Sequence, residues 1–131
     1  MRIKQISVFV ENKPGRLVDV LEALEKAHIN IRSLFISESG EFGIVRMILP
    51  HAEKSQELLR QAGFTTRMDT ILSYSMPDVP GGLLGSVVRP LAEAKINLKY
   101  FYAYTDPSTN QSMVALKPDD LDKAEEVLKA L

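Results

Sequence analysis

The residues best placed to do chemistry lie at two turns. Asn12-Lys13-Pro14-Gly15-Arg16-Leu17 joins an apolar extended segment to a leucine-rich helical pattern, and Asp78-Val79-Pro80-Gly81-Gly82-Leu83 does the same further along the chain. A Pro-Gly turn running into a helix presents backbone N–H groups at the positive end of the helix dipole, where a carboxylate is favoured. Gly15 has no side chain, so a ligand can approach the backbone there. Asn12 can donate and accept, and Asp78 at the matching place can pair with an ammonium group. Asn30-Ile31 and Asn97-Leu98 open the extended segments that follow the two helices and could add contacts. The same residues are ordinary turn formers, and they do not choose between the two junctions.

The elements that must position these turns follow from periodicity. Ile6, Val8 and Val10 alternate along a strand from Ile3 to Val10, which Pro14-Gly15 brings to a stop. Leu17, Val20, Leu21 and Leu24 recur at helical spacing. Ile29 to Glu38 and Phe42 to Leu49 are predicted strands joined at Ser39-Gly40 as a hairpin. Ala52 to Ala62 is a second helix, stopped by Gly63, and Thr65 to Met76 is extended. The order is βαββαβ, which closes into a small antiparallel sheet with two helices on one face.

The second half repeats the first. Leu17, Val20, Leu21 and Leu24 align with Leu84, Val87, Val88 and Leu91 at a constant offset of 67 positions, and His28-Ile29-Asn30-Ile31 aligns with Lys95-Ile96-Asn97-Leu98. Pro14 and Pro80 are 66 apart, so the second turn carries one extra residue, which Gly82 is expected to absorb. A repeat of this kind marks two similar units, expected at residues 1–69 and 70–131. Lys99 to Thr105 and Gln111 to Lys117 are the next strands, and the helix after Pro118-Asp119-Asp120 starts with acids that suit its dipole. The second copy ends there as βαββα, without a last strand, leaving an edge that something must cover. Pro90 falls inside the helix of this copy and is expected to kink it. Tyr100, Tyr102 and Tyr104 share one strand face, directed away from the helices. Burial against another sheet, of the same chain or a second one, is the expected fate of such a face, with pocket lining and plain exposure as alternatives.

Composition excludes several classes. With 131 residues, 16 Lys and Arg against 17 Asp and Glu, and no cysteine, the chain has no disulfide framework and no thiolate chemistry. A formal charge of −1 lacks the basic footprint of a nucleic-acid or membrane-surface protein. Gly40-Glu41-Phe42-Gly43-Ile44-Val45 superficially resembles an RNA-binding strand, but Glu41 replaces the basic residue and Ile44 the second aromatic. No apolar run approaches the roughly 18 residues of a membrane span, and the N-terminus lacks a signal-peptide core, so a cytoplasmic location is expected. His28 and His51 are far apart in sequence and are expected to be surface or capping residues, with no metal or cofactor. No catalytic constellation is readable, and Glu125 and Lys129 form only a helical i, i+4 pair.

The string from Ile6 to Leu17, followed by His28-Ile29-Asn30-Ile31, resembles an ACT domain. The second copy resembles it through Pro77-Asp78-Val79-Pro80-Gly81-Gly82-Leu83 and Ile96-Asn97-Leu98, so the likeness spans the chain as a tandem pair. The first copy is also similar to the small regulatory subunit of acetolactate synthase. The resemblance implies a ferredoxin-like α+β fold and a non-enzymatic regulator that binds an amino acid near the loop after the first strand, often at a domain interface. A homodimer is expected from the tyrosine face, and the alternative function is a protein-interaction regulatory subunit of an amino-acid biosynthetic enzyme without its own ligand. His28 departs from the family's usual Gly.

Overall fold

The computed structural model describes residues 1–131, Ser39 by its backbone alone. The elements are β1 (Arg2–Glu11), α1 (Arg16–Lys26), β2 (Ser33–Ser39), β3 (Phe42–Ile48), α2 (Ala52–Gln61), β4 (Thr65–Ser75), a π-helical segment (Leu84–Val88), α3 (Arg89–Glu93), β5 (Leu98–Asp106), β6 (Gln111–Pro118) and α4 (Leu121–Lys129). Both copies build antiparallel sheets in the ferredoxin-like α+β manner. The chain divides into two compact units, Lys4–Thr70 and Met1–Ile3 with Ile71–Leu131.

In the unit Lys4–Thr70, β3 lies between β2 and β1, with Phe35 opposite Arg46, Val8 opposite Val45 and Ile6 opposite Met47. The period-2 alternation of β1 sends Ile6 and Val8 into a core with Val20, Leu24, Val45, Met47, Leu49 and Leu59. Helices α1 and α2 supply Val20, Leu24 and Leu59 because their apolar residues fall three and four apart. On the opposite face of β1, Ser7 is buried and its hydroxyl accepts a hydrogen bond from Arg46 Nη1 at 3.1 Å.

The unit containing Ile71–Leu131 repeats this plan. Strand β6 pairs with β4, Leu72 opposite Leu116, and with β5, Phe101 opposite Leu116. Leu72, Val87, Leu91, Ile96, Val114, Leu116, Ala124 and Leu128 form its core. The three tyrosines pair with Lys117, Ala115 and Met113, on the face away from that core. They are half-buried within the single chain, and the Tyr104 hydroxyl lies 2.6 Å from Ser73 Oγ.

The edge left by the missing last strand is paired. The Ser73 N–H donates to the Met1 carbonyl at 2.7 Å, and the Met1 ammonium donates to the Ser73 carbonyl at 3.1 Å. Arg2 then reaches α4, donating to Asp122 and, at 3.2 Å, to Glu125. The start of β1, which by sequence continues the first copy, thus sits in the second unit.

Three other expectations are refined. The second strand begins at Ser33, not Ile29. Residues 27–29 instead close α1: His28 adopts φ 56°, its N–H donates to the Glu25 carbonyl, and the Ile29 N–H donates to the Leu24 carbonyl, five residues back. The same closure ends α2 at Gly63 and α3 at Lys95, with φ of 95° and 60°. A left-handed residue is needed at each place, which explains why Gly is usual in the family where His28 stands. Pro90 does not simply kink the helix: the turn before it widens, and the Arg89 N–H donates to Leu84, five residues back. Gly82 occupies a site where a side chain would collide with the Pro77 carbonyl, in keeping with its role in the longer turn.

Candidate ligand-binding site

At the first junction β1 ends at Glu11 and the chain bends through Asn12 to Gly15. The Asn12 N–H donates to the Glu41 carbonyl at 2.8 Å, which pins the loop to the β2–β3 hairpin. Gly15 takes φ 90° and precedes α1, whose start no side chain caps. The first bond of the helical ladder runs from the Asp19 N–H to the Gly15 carbonyl at 3.1 Å. The N–H groups of Leu17 and Val18 lie ahead of that ladder, at the positive end of an eleven-residue helix.

A cleft of about 620 Å³ opens here, lined by Glu11, Asn12, Lys13, Gly40, Glu41 and Phe42. Of the residues expected from sequence, Asn12 and Lys13 line it. Pro14, Gly15 and Arg16 follow in the chain, exposed but outside its lining, and Leu17 packs against the core. Asn30 and Ile31 are not brought to it. They lie before β2, and β2 runs its whole length, about 20 Å for seven residues, before reaching the hairpin at Gly40. The second junction repeats the geometry. A cleft of about 440 Å³ is lined by Ser75, Met76, Pro77, Asp78, Asn110, Gln111 and Ser112. Asp78 is there, while Val79, Pro80, Gly81 and Gly82 form the turn beyond it and Leu83 packs on the core. Asn97 exchanges bonds with Asp119 (2.9 and 3.3 Å) and Leu98 pairs opposite Pro118, at the other end of β5 from this cleft.

Sequence reasoning missed the hairpin residues Gly40, Glu41 and Phe42 and their counterparts Asn110, Gln111 and Ser112. Their turns were readable, but the closeness of each turn to the end of the first strand of its unit is set by sheet order. The positive φ of Gly40 and Asn110, 66° and 58°, is the shared trace of these turns.

The polar groups of the first junction are partly engaged with one another. Asn12 Nδ2 donates to Glu38 at 3.2 Å, Lys13 pairs with Glu11 at 2.9 Å, and Arg16 with Asp19 at 3.4 Å. The hydrogen bond from Lys13, and then its charge, hold the Glu11 carboxyl below its ordinary pKa. A depressed carboxyl contributes stability that is present above its unfolded pKa and is lost as pH falls through the folded value. Lys13→Met is therefore expected to return the Glu11 titration toward the ordinary carboxylate range, read by NMR of the side-chain carbonyl. An unmoved titration would show that the pair does not persist in solution.

Over residues 1–130 the chain matches the family described as an ACT domain pair. It belongs to that family. This ACT pair is similar to a solved protein from Bacteroides thetaiotaomicron, with 35% identity, 99% of this chain and 88% of the other covered, and a TM-score of 0.89. The fold recurs in the ligand-free regulatory subunit of aspartate kinase from Thermus thermophilus, at 16% identity, covering 97% and 88%, with a TM-score of 0.65. It recurs again within E. coli aspartokinase III, solved with aspartate and ADP, at 16% identity, covering 97% of the ACT pair and 30% of that chain, with a TM-score of 0.54. No curated protein sequence matches the ACT pair. Among the described residues, no three His, Cys, Asp or Glu side chains are grouped to hold a metal, and no helix is long and apolar enough to cross a membrane.

Proposed function

We propose that this ACT pair is a non-enzymatic, cytoplasmic regulatory protein that binds a small amino acid at a strand–helix junction. The observation that carries the reading is the uncapped start of α1 after Gly15, beside a cleft with both charge signs in its lining. A carboxylate suits the N–H groups at the helix start, and Glu11 or Glu41 suits the ammonium. The first junction is favoured over the second, because the second leads into a π-helical segment of only five residues, whose dipole is weaker. The family's membership in regulatory chains points the same way. Ligand binding would favour one arrangement of the protein, read by a homodimer partner or by a biosynthetic enzyme.

One observation favours a second reading. Asn12, Lys13 and Arg16 already have acidic partners, as in an interaction subunit that no longer uses a ligand.

Thermal unfolding against the twenty amino acids separates the two. The first reading expects one or a few to raise the melting temperature, by the equivalent of about 2.7 kcal/mol at a hundred times Kd. Gly15→Val is expected to remove that response; a Cβ there meets nothing within 4 Å, so its cost is backbone strain at positive φ and not a clash. A flat panel with a stable complex on an affinity column would support the interaction subunit instead.

A further inference from the structure

A third cleft lies at the opposite end of α1 from the first junction, about 16 Å away along an eleven-residue helix. It measures about 470 Å³, within the range of small-molecule sites. The chain brings His28 and His51 together there, although they are far apart in sequence, and adds Lys54 from the first turn of α2. All three side chains are exposed, and none makes a hydrogen bond or ion pair among the described residues. Glu57 is the carboxylate of the lining, and it accepts a hydrogen bond from Gln61 Nε2 at 3.4 Å. Ile29 and Leu58 supply half-buried aliphatic walls. Neither the two cores nor the proposed junction uses the three basic groups.

Three basic side chains against one carboxylate, with Ile29 and Leu58 beside them, suit an anion with a small aliphatic body. A lysine brings N–H donors and no acceptor, and an imidazole N–H can donate to a carboxylate. A ligand ammonium would face Lys54 as a like charge, and Glu57, which keeps its carboxylate charge beside the Gln61 hydrogen bond, disfavours a dianion over a monoanion. We propose that the cleft bounded by His28, His51 and Lys54 is a second binding site, for a short branched monocarboxylate without an α-amino group, such as a 2-oxo acid. It stands apart from the amino-acid junction and does not depend on it.

The test uses 3-methyl-2-oxobutanoate and valine, which share a carboxylate and a branched body and differ in keto against ammonium. Amide NMR of the full chain follows His28, His51, Lys54 and Leu58. The oxo acid at millimolar concentration is expected to shift these signals saturably, and valine to leave them in place. Lys54→Gln, a change at an exposed position, is expected to weaken the oxo acid about tenfold, the worth of a charge-assisted hydrogen bond. Gly15→Val should leave the oxo-acid shifts unaltered, which separates this site from the junction. Absent shifts, equal shifts with valine or inorganic phosphate, or an unchanged affinity in Lys54→Gln would each overturn the proposal.

Discussion

Gly82→Ala is expected to destabilise the unit containing Ile71–Leu131 by about 3 kcal/mol, the upper end of what overpacking costs. A Cβ built on Gly82 lies 2.2 Å from the Pro77 carbonyl oxygen and 3.2 Å from its carbon. Both are backbone atoms, so no side-chain rotation can make room. The Gly82 N–H also donates to the Val79 carbonyl at 2.9 Å, which holds the turn closed over the glycine. Relief requires opening the turn that delivers Leu83 and Val87 to the core. Gly85 is the control. A Cβ there meets nothing within 4 Å and its φ is not positive, so Gly85→Ala should leave stability unchanged or raise it by up to about 1 kcal/mol. Urea unfolding of the two variants reads the difference as a shift in midpoint. Equal midpoints would show that the turn from Pro77 to Gly82 relaxes freely.

Leu24→Ala is expected to cost about 2–5 kcal/mol in the unit Lys4–Thr70. Leu24 is 1% exposed and packs among Val20, Val45, Met47 and Leu59. Truncation removes buried methyl groups and leaves a cavity between α1 and the sheet, which a close-packed interior fills only in part. Against a typical total of about 5–15 kcal/mol, that is a large share. Val18→Ala on the same helix, at a side chain 54% exposed, should stay within about 0.5 kcal/mol. Hydrogen exchange of the β1 and β3 amides, with urea unfolding, measures both. A loss under 1 kcal/mol for Leu24→Ala would mean that the neighbours collapse into the space.

The elements of this fold were legible because their signals are local. Alternation in β1, the stripes at Leu17–Leu24 and Leu84–Leu91, and the stops at Gly15 and Gly63 all act within a few residues. The constant offset of 67 carried the family resemblance and the tandem architecture. The start of the second strand was misread for a physical reason. Ile29 reads as a strand residue because it is β-branched and apolar, yet it serves the closure of α1, where an apolar residue packs back on Leu24. The same signal, burial, is sent by two different backbone conformations. At the site, Asn12 and Asp78 were found from turn chemistry. Asn30 and Asn97 were singled out because they open the second strands, and the whole of that strand lies between each of them and its cleft. His28 and His51 look unrelated in sequence and line one cleft.

The amino-acid sequence by itself determined the repeat, the order βαββαβ in the first copy and βαββα in the second, and much of the apolar helix faces, because apolar spacing decides which face of an element leaves water. Only the tertiary structure decided that Met1–Ile3 pairs with β4, that each hairpin lies beside the end of its first strand, and that His28, His51 and Lys54 meet. These are matters of partner choice. A strand edge offers N–H and C=O groups that any extended backbone can satisfy, so the side-chain pattern does not name the segment that fills it. The partner is selected by where the rest of the chain has already been placed.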